Sequence, residues 1–310
     1  TDRSRGLGDV YKRQLYAGFF YIILLNESEA FMKFKIVTEA SVDMPDSFVK
    51  ENDITILPIE LNFAGELFPE GLPNDEFYEK MRTTGIIPKT SQPNQYKFEN
   101  ALSPYCNKED WFVLTIVISS NLAGTIAQAK NAVEALKMKN VYICDSELTT
   151  FAEGALIMEI VKYIKEKNPS PEEAIEELER LKKKVRLIAV VSDLKYLKQG
   201  GRISGAVAAL GTVLNMKPII TLEDGRVANK AKKRGEQANI YIVDEVVKNR
   251  DKSYPIYFGY SAIKKNIENF VQKYQDKLDV NPDKIEYHGI GCVVGTHVGP
   301  GVYGMVYFAK

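Results

Sequence analysis

The chain has 310 residues, 45% of them hydrophobic, and its 41 lysine and arginine residues are balanced by 41 aspartate and glutamate residues. This zero net charge argues against a nucleic-acid-binding protein, which usually carries a basic excess or a basic stripe. Three scattered cysteines and two histidines argue against a disulfide framework and a histidine-based metal site. We therefore expect no metal, no cofactor and a reducing cytoplasm.

The first 31 residues differ in character from the rest of the chain. Residues 15–25 are almost entirely apolar, but they are too few to span a bilayer as a helix, which needs about 20 residues. Lys12 and Arg13 before them loosely resemble the start of a signal peptide. Met32 begins a segment that is typical of an α/β protein, so we expect residues 1–31 to be a non-native or disordered extension.

Strands and helices alternate in the first half of the chain from Met32 onward. We predict strands at 34–38, 54–61, 112–118 and 141–144, and helices over 74–81, 94–102 and 126–137. Strands that alternate with helices of this length predict a largely parallel, layered sheet. Residues 32–160 are therefore predicted to form an α/β domain.

Hairpins and helices are mixed in the second half. We predict helices over 171–184, 206–214, 236–249 and 262–278, a strand at 187–191, and a hairpin over 217–228. Asp224-Gly225 in this hairpin is among the strongest two-residue turn signals. Residues 161–310 are therefore predicted to form an α+β domain.

The segment SSNLAGT, residues 119–125, lies between a predicted buried strand and a predicted helix. Helix N-termini expose unpaired N–H groups with a partial positive charge, and ligands of open α/β sheets collect at the carboxyl ends of strands. Ser119, Ser120 and Thr125 add hydroxyl groups there. The segment is thus a candidate anion site, and the alternative is that its hydroxyls only cap the helix.

A second hydroxyl cluster, Thr90 and Ser91, stands just before Pro93 and another predicted helix. Two such clusters in one domain favour a convergent anion site. Neither cluster contains a lysine or an arginine, so the site suits a single carboxylate better than a polyphosphate. A charge-assisted hydrogen bond to such a carboxylate contributes about 1.5–3 kcal/mol.

Four motifs occur in this order along the chain: TSQP at 90–93, SSNLAGT at 119–125, GGRIS at 200–204 and GTHVGPG at 295–301. Together they resemble the DegV family of bacterial fatty-acid-binding proteins. The resemblance covers Met32 to Lys310 and implies a Rossmann-like N-terminal domain, an α+β second domain, and one long-chain fatty acid buried between them. Ala40 and Ala123 stand where the family pattern places hydroxyl residues, so some polar contacts would differ.

The resemblance also implies what the site residues do. Thr90 and Ser120 would hold the carboxylate, with support from Ser91, Ser119, Arg202 and His297. The protein would be a non-catalytic lipid-binding subunit, which holds the fatty acid while the catalytic subunit of a fatty acid kinase phosphorylates the carboxylate to an acyl phosphate. Nucleic acid would not be a partner, and a transient contact with a membrane surface is compatible with this function.

A stand-alone serine hydrolase or esterase is the competing interpretation, with Ser120 as nucleophile and His297 as base. The sequence has no G-x-S-x-G nucleophile elbow, since GGRISG has a different spacing. A nucleotide enzyme is disfavoured because the sequence lacks a G-x-x-x-x-G-K-[ST] phosphate loop.

Overall fold

The computed structural model describes residues 32–68, 73–203 and 216–310. The predicted extension, residues 1–31, and the predicted helix over 206–214 lie outside these described ranges. Within them the chain forms ten helices and thirteen strands, besides two short 3₁₀ turns at Ser103–Tyr105 and Pro282–Lys284. None of the described helices combines the length and the apolar character needed to cross a membrane.

The helices and strands are numbered in chain order. The helices are α1 Asp46–Glu51, α2 Asn74–Thr84, α3 Gln95–Leu102, α4 Thr125–Leu136, α5 Thr150–Lys167, α6 Pro171–Lys184, α7 Lys195–Gln199, α8 Gln237–Asn249, α9 Lys264–Leu278 and α10 Cys292–Val298. The strands are β1 Lys33–Glu39, β2 Thr55–Leu57, β3 Glu60–Phe63, β4 Glu66–Phe68, β5 Lys89–Ser91, β6 Trp111–Val117, β7 Val141–Asp145, β8 Val185–Val190, β9 Met216–Glu223, β10 Arg226–Arg234, β11 Tyr257–Tyr260, β12 Tyr287–Gly289 and β13 Tyr303–Phe308.

The first half is built on a parallel sheet of four strands in the order β2-β1-β6-β7. This confirms the predicted parallel sheet. The last five residues of both β1 and β6 are buried, as expected for central strands that helices cover on both faces. The carboxyl ends of these two strands lead into segments that line a cavity.

The single strand predicted at 54–61 is wrong. The structure divides it into β2, which pairs with β1, and β3, which joins a separate antiparallel sheet in the order β4-β3-β5. Pro58 lies at the break, and it has no N–H group to donate to a sheet ladder. The small sheet contains Thr90, a predicted site residue, in β5.

The second half contains a mixed sheet of six strands in the order β10-β9-β8-β13-β11-β12. The α/β fold class with a sheet-rich second half is therefore as predicted. The hairpin β9–β10 turns at Asp224 and Gly225, both of which have positive φ, 48° and 70°. Two consecutive residues with positive φ are the geometry for which Asp-Gly is preferred in hairpins.

Helix α5 was absent from the predicted elements, although it lies at the centre of the molecule. Every residue from 150 to 157 is buried, so the sequence here shows no polar face to mark a helix. Its side chains share one hydrophobic cluster with Ile116 of the parallel sheet and Val306 of the mixed sheet. The predicted domain boundary at residue 160 falls inside this helix, and the division into two domains stays a prediction.

Candidate functional site

A cavity of about 360 Å³ lies among residues from both halves of the chain. This volume is within the range of small-molecule sites. Isoleucine, leucine, valine and alanine side chains form most of its wall, and Ile118, Leu197 and Val294 are examples. The polar lining residues are Ser41, Thr90, Ser91, Gln92, Thr125, Thr149, Arg202 and His297. The cavity therefore suits an apolar ligand with a polar group.

Thr90 and His297 meet at the cavity wall. Thr90 Oγ1 lies 3.2 Å from His297 Nε2. Burial, and then the positive charge of Arg202, lower the pKa of His297 to about 4, so the imidazole is neutral at pH 7. A Cβ atom on Gly200 would stand 2.3 Å from Nδ1 of this histidine, so only a glycine leaves room for the ring.

Arg202 also lines the cavity, and it connects two motifs that are far apart in the sequence. Its Nε donates to the Leu122 carbonyl at 3.2 Å, and its Nη1 donates to the Gly200 carbonyl at 2.5 Å. The guanidinium thus links the SSNLAGT turn to the end of α7. It brings a positive charge to the cavity while it stabilises the wall.

The start of α4 has no side-chain cap. Gly124 occupies the N-cap position, and no side chain accepts a hydrogen bond from the first turn. Thr125 Oγ1 is buried at the cavity and has no hydrogen-bond partner, and the same holds for Thr149 Oγ1. The capping alternative is therefore not what the structure shows. Buried hydroxyl groups are nearly always hydrogen-bonded, so these two are available to a polar group within the cavity.

Ser119 and Ser120 are not among the residues that line the cavity. Ser119 is fully buried and donates through Oγ to the Gly225 carbonyl at 2.7 Å. Asn121 Nδ2 donates to the Asp224 carbonyl at 2.9 Å. Through these contacts the turn after β6 holds the tip of the β9–β10 hairpin, and the predicted support from Ser119 at the carboxylate stays a prediction.

Ser120 is exposed, and its backbone N–H donates to Asp145 Oδ1 at 3.1 Å. The physical reason is that successive residues of a tight turn point in different directions. Ser119 faces the hairpin, Ser120 faces solvent, and Leu122 faces the cavity. The structure thus does not bring Ser120 to Thr90, and its predicted contact with the carboxylate stays a prediction. Ser91, in contrast, does line the cavity.

The pair required by the hydrolase alternative is not formed. His297 Nε2 is directed at Thr90, and Ser120 Oγ has no hydrogen bond to this histidine. A histidine with a pKa of about 4 is also a weak general base at neutral pH.

Sequence reasoning missed a group of buried carboxyls next to the cavity. Glu39 Oε1 accepts from Ser41 Oγ at 2.5 Å and from the Ile118 backbone N–H at 3.1 Å. Burial raises the pKa of Glu39 to about 7. Burial and the charge of Glu39 raise the pKa of Glu153 well above its ordinary value. An acid within the otherwise apolar start of α5 was the available signal, but α5 itself was not predicted.

The fold and the cavity define an α/β protein whose two halves both contribute to one cavity with a largely apolar wall and several polar side chains. The chain belongs to the DegV family, since the family model described as an uncharacterised protein of the DegV family matches residues 33–310. Protein DegV of Bacillus subtilis is 30% identical over 283 residues, which cover 90% of this chain and 100% of that relative.

Solved structures show the same fold. A DegV family protein from Thermus thermophilus, solved for its fatty acid binding, is 29% identical with a TM-score of 0.79, and the match covers 90% of this chain and 100% of that chain. The fatty acid kinase B3 protein of Streptococcus pneumoniae, loaded with linoleic acid, matches with a TM-score of 0.74 and the same coverage. At 19% identity, this second likeness shows the fold alone.

Proposed function

We propose that this protein binds one long-chain fatty acid in the cavity between its two halves. One observation carries the proposal: a cavity with a largely apolar wall contains the Thr90–His297 pair and two buried hydroxyl groups without partners. Fatty acid binding by the Thermus thermophilus relative supports the same ligand class.

The acyl chain supplies most of the binding free energy in this proposal. Burying a chain of about sixteen carbons contributes on the order of 10 kcal/mol gross, at roughly 0.8 kcal/mol per methylene group. Association and desolvation offset a good part of that gain. The polar residues therefore mainly fix the orientation of the carboxylate.

Hydroxyl and amide donors bind the carboxylate in this proposal, since the imidazole is neutral. A neutral imidazole has one N–H group, and it can donate from Nε2 to Thr90 Oγ1. The Thr90 hydroxyl is then free to donate to the ligand. Thr125 and the uncapped start of α4 offer further donors, and the positive charge of Arg202 lies on the same cavity wall.

The protein acts in this proposal as the substrate-presenting subunit of a fatty acid kinase in the cytoplasm. A partner kinase subunit brings ATP and Mg²⁺, and this chain positions the carboxylate oxygen as the nucleophile. Positioning is much of the work in phosphoryl transfer. This step rests on the resemblance of the four motifs to the DegV family, and the Streptococcus pneumoniae fatty acid kinase B3 protein shares the fold alone.

Extraction and mass spectrometry of lipid from the purified protein test the ligand. We expect about one long-chain fatty acid per chain. Protein that carries no lipid and also fails to bind added palmitate or oleate would refute the proposal.

Turnover assays test whether this chain only presents the fatty acid while a partner subunit catalyses the reaction. The chain alone should neither cleave esters nor hydrolyse ATP, and with a fatty acid kinase catalytic subunit, ATP and Mg²⁺ it should yield acyl phosphate. Robust esterase activity of the chain alone, lost in Ser120→Ala, would favour the hydrolase instead.

A further inference from the structure

Two glutamates without a cationic partner are enclosed behind the cavity wall. Glu39 at the end of β1 and Glu153 in α5 are both fully buried, and each has one carboxyl oxygen without a hydrogen-bond partner. The buried cations within the described ranges, Lys35 and Arg250, pair with other aspartates. Two buried negative charges without a cation are strongly unfavourable, so at least one of the two carboxyls keeps a proton.

Glu39 is connected to the cavity by one hydroxyl group. Ser41 and Ile118, which both line the cavity, donate to Glu39 Oε1. When Glu39 is ionised, its carboxylate accepts the hydrogen bond of the Ser41 hydroxyl, and Ser41 then presents only lone pairs to a ligand. When Glu39 is protonated, it can donate to Ser41 Oγ, and the Ser41 hydroxyl is then free to donate to a carboxylate.

The other titratable groups around the pair do not neutralise it. Asp43, in the loop after β1, adds negative charge next to Glu153 when it is ionised, and burial raises its own pKa to about 7. Its surroundings include Tyr78 of α2 and Cys292 of α10. Asp43 accepts hydrogen bonds from the Thr150 hydroxyl and from the Gly291 N–H.

The cavity side of the pair contributes one neutral group and one cation. His297 is neutral at pH 7, and Arg202 donates to backbone carbonyls. Thr125 and Thr149 are more than nine-tenths buried, and their unpartnered hydroxyls line the same cavity. These hydroxyls indicate independently that a polar ligand group belongs here.

We propose that Glu39 and Glu153 form a proton-holding pair, so that a carboxylate enters the cavity together with one proton taken up from water. This inference rests on the proposed fatty-acid site. Glu39 is then a positioning residue that acts on the ligand through Ser41. A ligand carboxylate next to an ionised Glu39 would place two like charges in a medium of low dielectric. The raised pKa of Glu39, about 7, puts the transition near neutral pH.

Equilibrium binding of laurate, at concentrations below micelle formation and over the range from pH 6 to pH 9, tests the coupling of ligand binding to proton uptake. We expect the dissociation constant of the wild type to rise by about tenfold per pH unit above pH 7, because one proton is linked to binding. The double variant Glu39→Gln/Glu153→Gln keeps the shape of the protonated pair, so its affinity should change less than about twofold across the same range. A double variant with the wild-type slope would overturn the proposal.

Glu159→Gln is the matched control, because Glu159 is a second buried glutamate in α5 and accepts from Tyr257 at 2.7 Å. We expect the laurate dissociation constant of this control to depend on pH as it does in the wild type. If its dissociation constant were as insensitive to pH as that of the double variant, the proposal would be overturned.

Calorimetry of the wild type in HEPES and in Tris at pH 8 gives the number of protons taken up per laurate bound, and it needs no variant. Uptake close to one proton per laurate is expected, and no uptake would overturn the inference even if the double variant failed to fold. If the wild type binds neither laurate, palmitate nor oleate at any pH, the proposed function fails. If it binds them without proton linkage, only the present inference fails.

Discussion

Thr90 Oγ1 and His297 Nε2 lie 3.2 Å apart, although 207 positions separate the two residues in the sequence. The contact joins the small antiparallel sheet to helix α10, and it places one hydroxyl at the wall of a mostly apolar cavity. A ligand carboxylate at this point would complete the hydrogen bonding of Thr90.

Thr90→Val should weaken fatty-acid binding by about tenfold to a hundredfold, because it removes a donor from a desolvated carboxylate at a cost of roughly 1–3 kcal/mol. Titration with palmitate would measure the loss. Ser120→Ala is the informative comparison, since the sequence predicts a carboxylate contact for Ser120 and the structure places it in solvent. An equal loss in both variants would favour the sequence prediction, and an unaffected Thr90→Val would remove Thr90 from the site.

Thr125→Val should have opposite effects on stability and on binding. The hydroxyl of Thr125 is buried without a partner in the ligand-free chain, so its removal should leave the unfolding free energy unchanged or raise it. Binding of palmitate should weaken by about tenfold because a donor to the carboxylate is lost.

Thr115→Val is the matched control for this threonine. Thr115 Oγ1 is also buried without a partner, but Thr115 lies in β6 and does not line the cavity. Its replacement should leave palmitate binding unchanged. If Thr115→Val weakened palmitate binding, or if Thr125→Val left it unchanged, the unpartnered hydroxyl of Thr125 would not be a ligand donor.

The layered fold could be predicted from the sequence because its signals are local. Apolar strands followed by amphipathic helices mark the parallel sheet, and Asp224-Gly225 marks the hairpin. Helix α5 could not be predicted in the same way, because residues 150–157 are buried on every side and a helix without a polar face lacks the usual pattern. The strands before and after Pro58, β2 and β3, join different sheets, and this choice of partners depends on tertiary contacts that no local pattern encodes.

The site could be predicted only in part. Motif resemblance pointed to Thr90, Arg202 and His297, and the structure brings these three residues to one cavity. It could not resolve which residue of the SSNLAGT turn faces the cavity, because one step along a tight turn redirects a side chain. In the structure Ser119 contacts the hairpin, and Thr125 is one of two cavity-lining threonines whose hydroxyls have no partner.

Ser119→Ala should destabilise the protein by about 1–2 kcal/mol, because the Gly225 carbonyl loses its buried donor. Urea unfolding would measure the change. Ser120→Ala is the matched control for this neighbouring position, since Ser120 is exposed, and it should stay within about 0.5 kcal/mol of the wild type. Equal stabilities of the two variants would contradict the role of Ser119 in holding the hairpin.

His297 should remain neutral throughout the physiological range. Burial and the charge of Arg202 lower its pKa to about 4, so the imidazole proton signals in NMR should show no titration between pH 8 and pH 5.5. A folded-state pKa below that of the unfolded chain means that stability is lost as pH falls from about 6.5 toward 4. Titration of this ring near pH 6.5 would contradict the buried environment.

The buried pair of Glu39 and Glu153 should make the protein less stable as the pH rises, whereas His297 makes it less stable as the pH falls. Because the pKa of Glu39 is raised to about 7, the folded state holds protons that the unfolded chain has released, and stability falls as pH rises from about 4.5 through 7. Glu39→Gln/Glu153→Gln removes this loss. The variant should therefore gain stability relative to the wild type between pH 5 and pH 8, by up to roughly 3 kcal/mol from Glu39.

Thermal unfolding of both proteins across this pH range measures the difference, which we expect to grow by several degrees toward pH 8. Both proteins retain His288 and His297, whose acid-side contributions cancel in the comparison. Glu159→Gln, tested in parallel, should follow the wild type at every pH. A stability difference that stays constant from pH 5 to pH 8 would mean that neither glutamate carries an excess proton in the folded state, and the pair would then have none to exchange with a ligand.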